Sequence, residues 1–208
     1  SHITVPIFIP HAGCPNQCIF CNQHAVTGKK DPKLPSPDDI ETSIRTCLSG
    51  AESGTRRELA FFGGSFTGLE PELQETFLSQ ALDLKRNGRI DGIRLSTRPD
   101  YITPEAIERL LAFSVDTVEL GIQSFDDEVL VKARRGHTAD DSCKAISLLR
   151  ASGLSFVIQL LPGLPGETRE SALHSARTAA CENPSGVRIY PAVVLVDTPM
   201  EALYRSGH

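Results

Sequence analysis

The chain has 208 residues and a mass of 22.6 kDa, with 40% hydrophobic and 23% charged residues, the size of one well-buried domain and short for two. Its 16 glycines and 14 prolines are dispersed, which excludes collagenous or low-complexity character, and a net charge of −5 excludes a basic, sequence-independent nucleic-acid coat. The longest apolar runs, 5–10 and 190–196, fall far short of the roughly 20 residues of a membrane span, and no signal peptide opens the chain, so a cytoplasmic protein is expected.

In chain order, β-branched runs alternate with segments of 3.6-residue period. Strands are predicted at 3–9, 58–62, 92–96, 116–122, 155–161 and 187–195. Helices are predicted at 37–50, 70–87, 103–113, 126–152 and 167–181, with a last one starting at 199. Ser36 before Pro37 and Thr103 before Pro104 read as N-caps with proline in the first turn. The run Gly136-His137-Thr138-Ala139-Asp140 divides 126–152 into a short helix and a longer one from about 139.

Six strand-then-helix units, with no glycine-rich phosphate fingerprint after the first strand, predict an α/β fold. A partial (βα)6 TIM-like barrel of parallel strands with outer helices fits better than a doubly wound sheet. Either architecture places chemistry at the carboxyl ends of the strands: here 11–21, 63–68, 97–100, 123–125, 162–167 and 197–199.

The first of these stretches carries Cys14-Pro-Asn-Gln-Cys18-Ile-Phe-Cys21, three thiols in eight residues. Such spacing suits wrapping a compact cluster more than clasping one zinc, which needs a fourth ligand that His11 or His24 would have to supply. Three thiolates on a four-iron cluster leave one iron open, the arrangement by which a metal takes part in chemistry. Cys47, Cys143 and Cys181 lie apart in helical segments and read as packing residues.

This octapeptide resembles the CxxxCxxC signature of the radical S-adenosylmethionine (SAM) enzymes, with Phe20 at the aromatic position before the third cysteine. The resemblance implies a [4Fe-4S] cluster on Cys14, Cys18 and Cys21. It also implies SAM on the open iron and reductive cleavage to a 5'-deoxyadenosyl radical that abstracts hydrogen from a substrate. Gly63-Gly64-Ser65-Phe66 resembles the family's glycine motif at the SAM amino group. Gly121-Ile122-Gln123-Ser124 resembles its ribose-side motif, with Gln123 on the SAM hydroxyls. Gln159 matches a ribose position of the coproporphyrinogen-dehydrogenase branch, and Arg135 matches an arginine aimed there at the SAM carboxylate.

Within the superfamily the chain is similar to the radical SAM domain of the elongator-complex catalytic subunit and its bacterial relatives. The strings that carry this are Ser96-Thr97-Arg98-Pro99-Asp100, Glu119 to Ser124, Arg135-Gly136-His137-Thr138 and Val187-Arg188-Ile189-Tyr190-Pro191. Ser96 and Arg98 thereby join the SAM-side residues, although Ser96 stands where that pattern has glutamate. The chain reads as a radical SAM core domain over 1–208 that lacks a C-terminal segment and an acetyl-coenzyme A domain, so acetyl transfer is not carried over. The implied substrate is a modified nucleoside, a tRNA or a related small heterocycle, and the implied partner is a one-electron donor such as flavodoxin or ferredoxin. The basic run Lys29, Lys30 and Lys33 adds little for tRNA. A coproporphyrinogen-like oxidation needs a second, arginine-lined pocket, and a non-catalytic iron-sulfur carrier needs no SAM site. Tyr190, Glu119, His137 and Asp197 are candidates for a second hydrogen donor or general base.

Overall fold

The computed structural model describes residues 1–10, 13–14, 18–22 and 33–207. His11, His24, Lys29 and Lys30 lie outside the described residues. Six strands, β1 (His2–Ile9), β2 (Arg56–Gly63), β3 (Gly92–Thr97), β4 (Thr117–Gln123), β5 (Ser155–Leu160) and β6 (Gly186–Ile189), pair in parallel. They lie in the sequential order β1-β2-β3-β4-β5-β6. A doubly wound sheet reverses its strand order at a switch point. This sheet never does, and it curls into an open half-barrel, as the alternation of elements predicted.

The helices cross over the outside: α1 (Pro37–Leu48), α2 (Pro71–Arg86), α3 (Pro104–Ala112), α4 (Asp127–Lys132), α5 (Ala139–Ser152), α6 (Arg169–Cys181) and α7 (Pro199–Arg205). Ser36 and Thr138 close capping boxes with Asp39 and Asp141, and Thr103 caps the amide of Ala106. Each such cap contributes about 1 kcal/mol to where its helix begins. Gly153 stops α5 in the left-handed conformation, φ 76°.

Strand residues alternate between two environments, as a period of two requires. Leu59, Phe61, Ile93, Leu95, Val118, Leu120, Phe156 and Ile158 face the helices and form the core with Ile40, Phe77, Leu110 and Ile146. The intervening Phe62, Ser96, Glu119, Gly121, Gln159 and Arg188 face the barrel lumen. The expected sixth strand, 187–195, is shorter than predicted, because Pro191 has no amide hydrogen to continue a ladder. Tyr190 and Ala192 still donate to the carbonyls of Leu160 and Pro162, at 3.0 and 2.8 Å, so the backbone runs on beside β5 without forming strand.

Candidate functional site

At the carboxyl ends of the strands the sheet opens into a cavity of about 1230 Å³. Every predicted site residue lines it: Cys14, Cys18, Phe20 and Cys21 from the first loop, Gly63, Gly64 and Ser65 after β2, Ser96 and Arg98 at β3, Gln123 and Gln159 on β4 and β5, and Arg135 after α4. Of the candidate donors, Glu119, Tyr190 and Asp197 line the cavity, whereas His137 lies behind the wall.

The cysteine loop is anchored from three sides. The Ile19 amide donates to the Ala133 carbonyl at 3.2 Å, the Met200 amide to the Ile19 carbonyl at 3.0 Å, and Asn22 Nδ2 to the Val196 carbonyl at 2.9 Å. Phe20 packs against a small cluster of Val129, Ala133 and Leu164, an apolar cover behind the thiols. Cys18 is buried, Cys14 half-buried and Cys21 exposed. Burial pushes the Cys14 thiol up, while the Arg98 and Arg135 guanidinium groups pull it down.

Glycine is needed where chains approach. Gly63 sits at φ +109°, and a Cβ there would stand 2.7 Å from the Ile9 carbonyl oxygen and from the Phe8 ring. At Gly121 a Cβ would be 3.1 Å from Gln123 Nε2 and 3.5 Å from Arg135 Nη2. The Ser65 hydroxyl turns inward, 2.8 Å from the Thr97 hydroxyl and 3.2 Å from the Arg98 amide, so it fixes the loop and leaves the backbone to face the cavity.

Gln123 ends β4 with a register shift against β5 and a left-handed backbone, φ 75°. Bulges and positive φ in a non-glycine residue persist where surrounding structure imposes them, and they re-aim a side chain. Here the amide is turned to the cavity, and its buried Oε1 has no hydrogen-bond partner. Arg98 is 3% exposed and grips Asp100 through Nε and Nη2, at 3.0 and 2.9 Å, while its buried Nη1 has no partner. Arg135, 5% exposed, donates Nη1 to Cys18 Sγ at 3.2 Å and Nη2 to the Gly121 carbonyl. Arg135 thus stands beside the cysteine loop, on the cavity wall where the sequence places a SAM-side residue. Arg134 is exposed, the solvated member of the pair.

Among the described residues no three His, Cys, Asp or Glu side chains converge on a common metal position, and residues 15–17, which join Cys14 to Cys18, lie outside the described residues. The donor set nevertheless suits the implied groups. Three thiols on one loop are the soft ligands an iron-sulfur cluster takes. Arg98 Nη1 and Gln123 Oε1 are buried without a hydrogen-bond partner among the described residues, and both residues line a cavity roomy enough for a nucleoside-bearing ligand.

Motif reading missed Phe8, Phe62 and Arg188 as lining residues. The period of two was the available signal. Counting back from Gln123 gives Gly121 and Glu119, and a glutamate inside a buried parallel strand marks a lumen rather than a core.

No helix of the chain is long and apolar enough to cross a membrane among the described residues. The model of the radical SAM superfamily matches residues 8–179. A tRNA uridine(34) acetyltransferase of Methanocaldococcus infernus is 32% identical over 98% of this chain and 45% of its own length. Elongator complex protein 3 of Homo sapiens is 27% identical over 89% of this chain and 37% of its own. The solved structure of the archaeal Methanocaldococcus infernus Elp3 with an N-terminal deletion superposes with a TM-score of 0.70 at 26% identity, over 99% of this chain and 49% of that one. The chain thus spans less than half the length of these relatives. Three cysteines, six sequential parallel strands and a match across most of the sequence lead to one conclusion: this chain belongs to the radical SAM superfamily.

Proposed function

We propose that the chain is the radical SAM domain of a cytoplasmic enzyme that modifies a nucleoside within tRNA, or a related heterocycle, with electrons from a flavodoxin- or ferredoxin-like donor. One observation carries the reading: a single cavity gathers the three cysteines and all the SAM-side residues at the carboxyl ends of the strands. The tRNA part rests on relatives named as tRNA uridine(34) acetyltransferases. A cysteine-bound cluster also suits the reducing interior of a cell. As a domain, 1–208 is the core that binds cofactor, and the remaining half of the relatives' length has no counterpart in it.

When bound, the cluster and SAM supply one-electron reductive cleavage and hydrogen-atom abstraction from substrate. Cys14, Cys18 and Cys21 would hold the cluster, and Phe20 would shield it from water. Gly63 and Gly64, which line the cavity, would let the backbone approach the SAM amino group, and Gln123 Oε1 would accept from a ribose hydroxyl. Arg98 Nη1 donates to a carboxylate or a cluster sulfur, and Arg135 holds Cys18 while its charge faces the thiolates. Gln159, paired in register with Gly121, and Ser96, in register with Glu119, complete the rim. Orphaned Arg98 and Gln123 atoms favour a ligand-binding enzyme over an electron carrier. Away from the cysteines, among the described residues, the lining arginine is Arg188, and its pairing to Glu119 speaks against a pocket for a propionate substrate.

The test is anaerobic reconstitution with iron and sulfide, reduction with dithionite in the presence of SAM, and chromatography for 5'-deoxyadenosine. Its formation is the expected result. A reducible [4Fe-4S] signal with SAM bound and no 5'-deoxyadenosine would overturn the enzymatic reading.

A further inference from the structure

The lumen floor, across the cavity from the cysteines, holds a charged group that none of the cofactor roles uses. Glu119 is 2% exposed, lies within the central strand β4 and lines the cavity. Its Oε2 stands 3.4 Å from Arg188 Nε and 3.5 Å from Arg94 Nη1, yet accepts no hydrogen bond from either. Arg94 is engaged elsewhere, donating Nε to Glu58 Oε2 at 2.7 Å. A purely structural ion pair buried this deeply needs good geometry and filled hydrogen bonds to offset the desolvation of both charges. Glu119 Oε2 has neither among the described residues, and burial raises the carboxyl while Arg188 and Arg94 pull against that shift.

Arg188 is the more exposed half of the pair. Its side chain is 35% exposed, its Nη1 donates to the Tyr190 hydroxyl at 3.2 Å, and its guanidinium carbon lies 5.7 Å from the centroid of the Phe62 ring. An acceptor and a fork of donors thus stand side by side next to an aromatic face. That arrangement is the complement of a planar ring carrying an N–H next to a C=O, the edge of a cyclic imide.

We infer that Glu119 and Arg188 form a base-edge subsite, in which Glu119 accepts the ring N–H and Arg188 donates to the neighbouring carbonyl of a uracil-type ring lying against Phe62. This rests on the nucleoside reading above and assigns the residues that select the base. A ligand N–H supplies the hydrogen bond that Glu119 lacks, and it favours the ionised carboxylate that Arg188 also favours. Loss of one such bond to a charged group weakens binding about tenfold or more.

The experiment measures equilibrium binding of uridine and 3-methyluridine, with SAM binding scored in parallel, to the anaerobically reconstituted chain without reductant. Methylation removes the ring N–H and leaves the carbonyls, so it needs no protein variant. We expect uridine to bind about tenfold or more tightly than 3-methyluridine, and Arg188→Ala to lose a similar factor for uridine. Equal affinity for the two nucleosides, or an unchanged uridine affinity in a folded Arg188→Ala, overturns the subsite. SAM bound with neither nucleoside bound overturns the subsite alone, whereas failure to bind SAM overturns the functional reading and the subsite with it.

Discussion

The two ends of the cavity handle charge in opposite ways. At the cysteine end, two guanidinium groups are buried beside the thiols. Arg98 and Arg135 are 3% and 5% exposed; Arg98 pairs with Asp100, and Arg135 donates to Cys18 Sγ. On the floor, Glu58 and Glu119 are each 2% exposed, and Arg94 and Arg188 approach them from the side. Buried charge without a matching partner is costly in a folded chain. Guanidinium groups beside thiols at one end and carboxylates beside guanidinium groups at the other suit different ligands: anionic groups at the cysteine end, hydrogen-bond donors and acceptors on the floor.

The most drastic way to break this contrast is to remove the thiolates. Cys14→Ala, Cys18→Ala and Cys21→Ala are each expected to abolish the cluster and SAM cleavage while the fold is kept, as judged by iron content and circular dichroism. A full iron complement in any one of them would show that the cysteine end does not hold the cluster.

The cationic end can also be probed by acid. His137 is 5% exposed, buried near Arg98 and Arg135. Burial, then Arg135 and Arg98, lower its pKa from 6.5 to about 4. The folded chain thus keeps His137 neutral where the unfolded chain protonates it. The stability it contributes is present above 6.5 and is lost as pH falls from there toward 4, by up to about 3 kcal/mol. His137→Leu should flatten that part of the urea-denaturation pH profile. An unchanged slope would mean that the histidine is not screened from water.

Gln123 sharpens the comparison with less disturbance. Asparagine tolerates a positive φ but has a side chain one methylene shorter. Gln123→Asn is therefore expected to keep the fold and lose about tenfold in SAM affinity, measured by calorimetry. Equal affinity would remove Gln123 from the ribose site.

Much of this was legible in the chain. The six strands and seven helices follow from hydrophobic period and caps, because a parallel sheet buries both faces and its crossovers must be helical. Thr138 marks the break between α4 and α5 as its residues promised. The end of β6 was not legible, since Val193, Val194 and Leu195 continue the apolar pattern and only Pro191 argues against a ladder. Cysteines, glycines and Gln123 were readable because each has a local motif. The Glu119–Arg188 pair was not, because its two residues are 69 positions apart and meet only through the curl of the sheet.

The smallest effects are expected at the three remaining cysteines, and here the comparison turns on what surrounds each sulfur. At Cys14 burial raises the thiol on balance, but Arg98 and Arg135 oppose that push and would stabilise a thiolate once formed. At Cys143 burial again raises the thiol, but the charged neighbours are Glu182 and Asp140, which raise it further. Cys47 and Cys143 pack against the core at its edge, and Cys181 is exposed at the end of α6. Alanine at Cys47 or Cys143 should therefore cost about 1 kcal/mol or less, and at Cys181 nothing measurable, with iron content unchanged in all three. Loss of iron from Cys143→Ala would be the informative failure, because it would require a thiolate to form beside two carboxylates. The charge asymmetry between the ends of the cavity would then no longer explain which sulfurs bind metal.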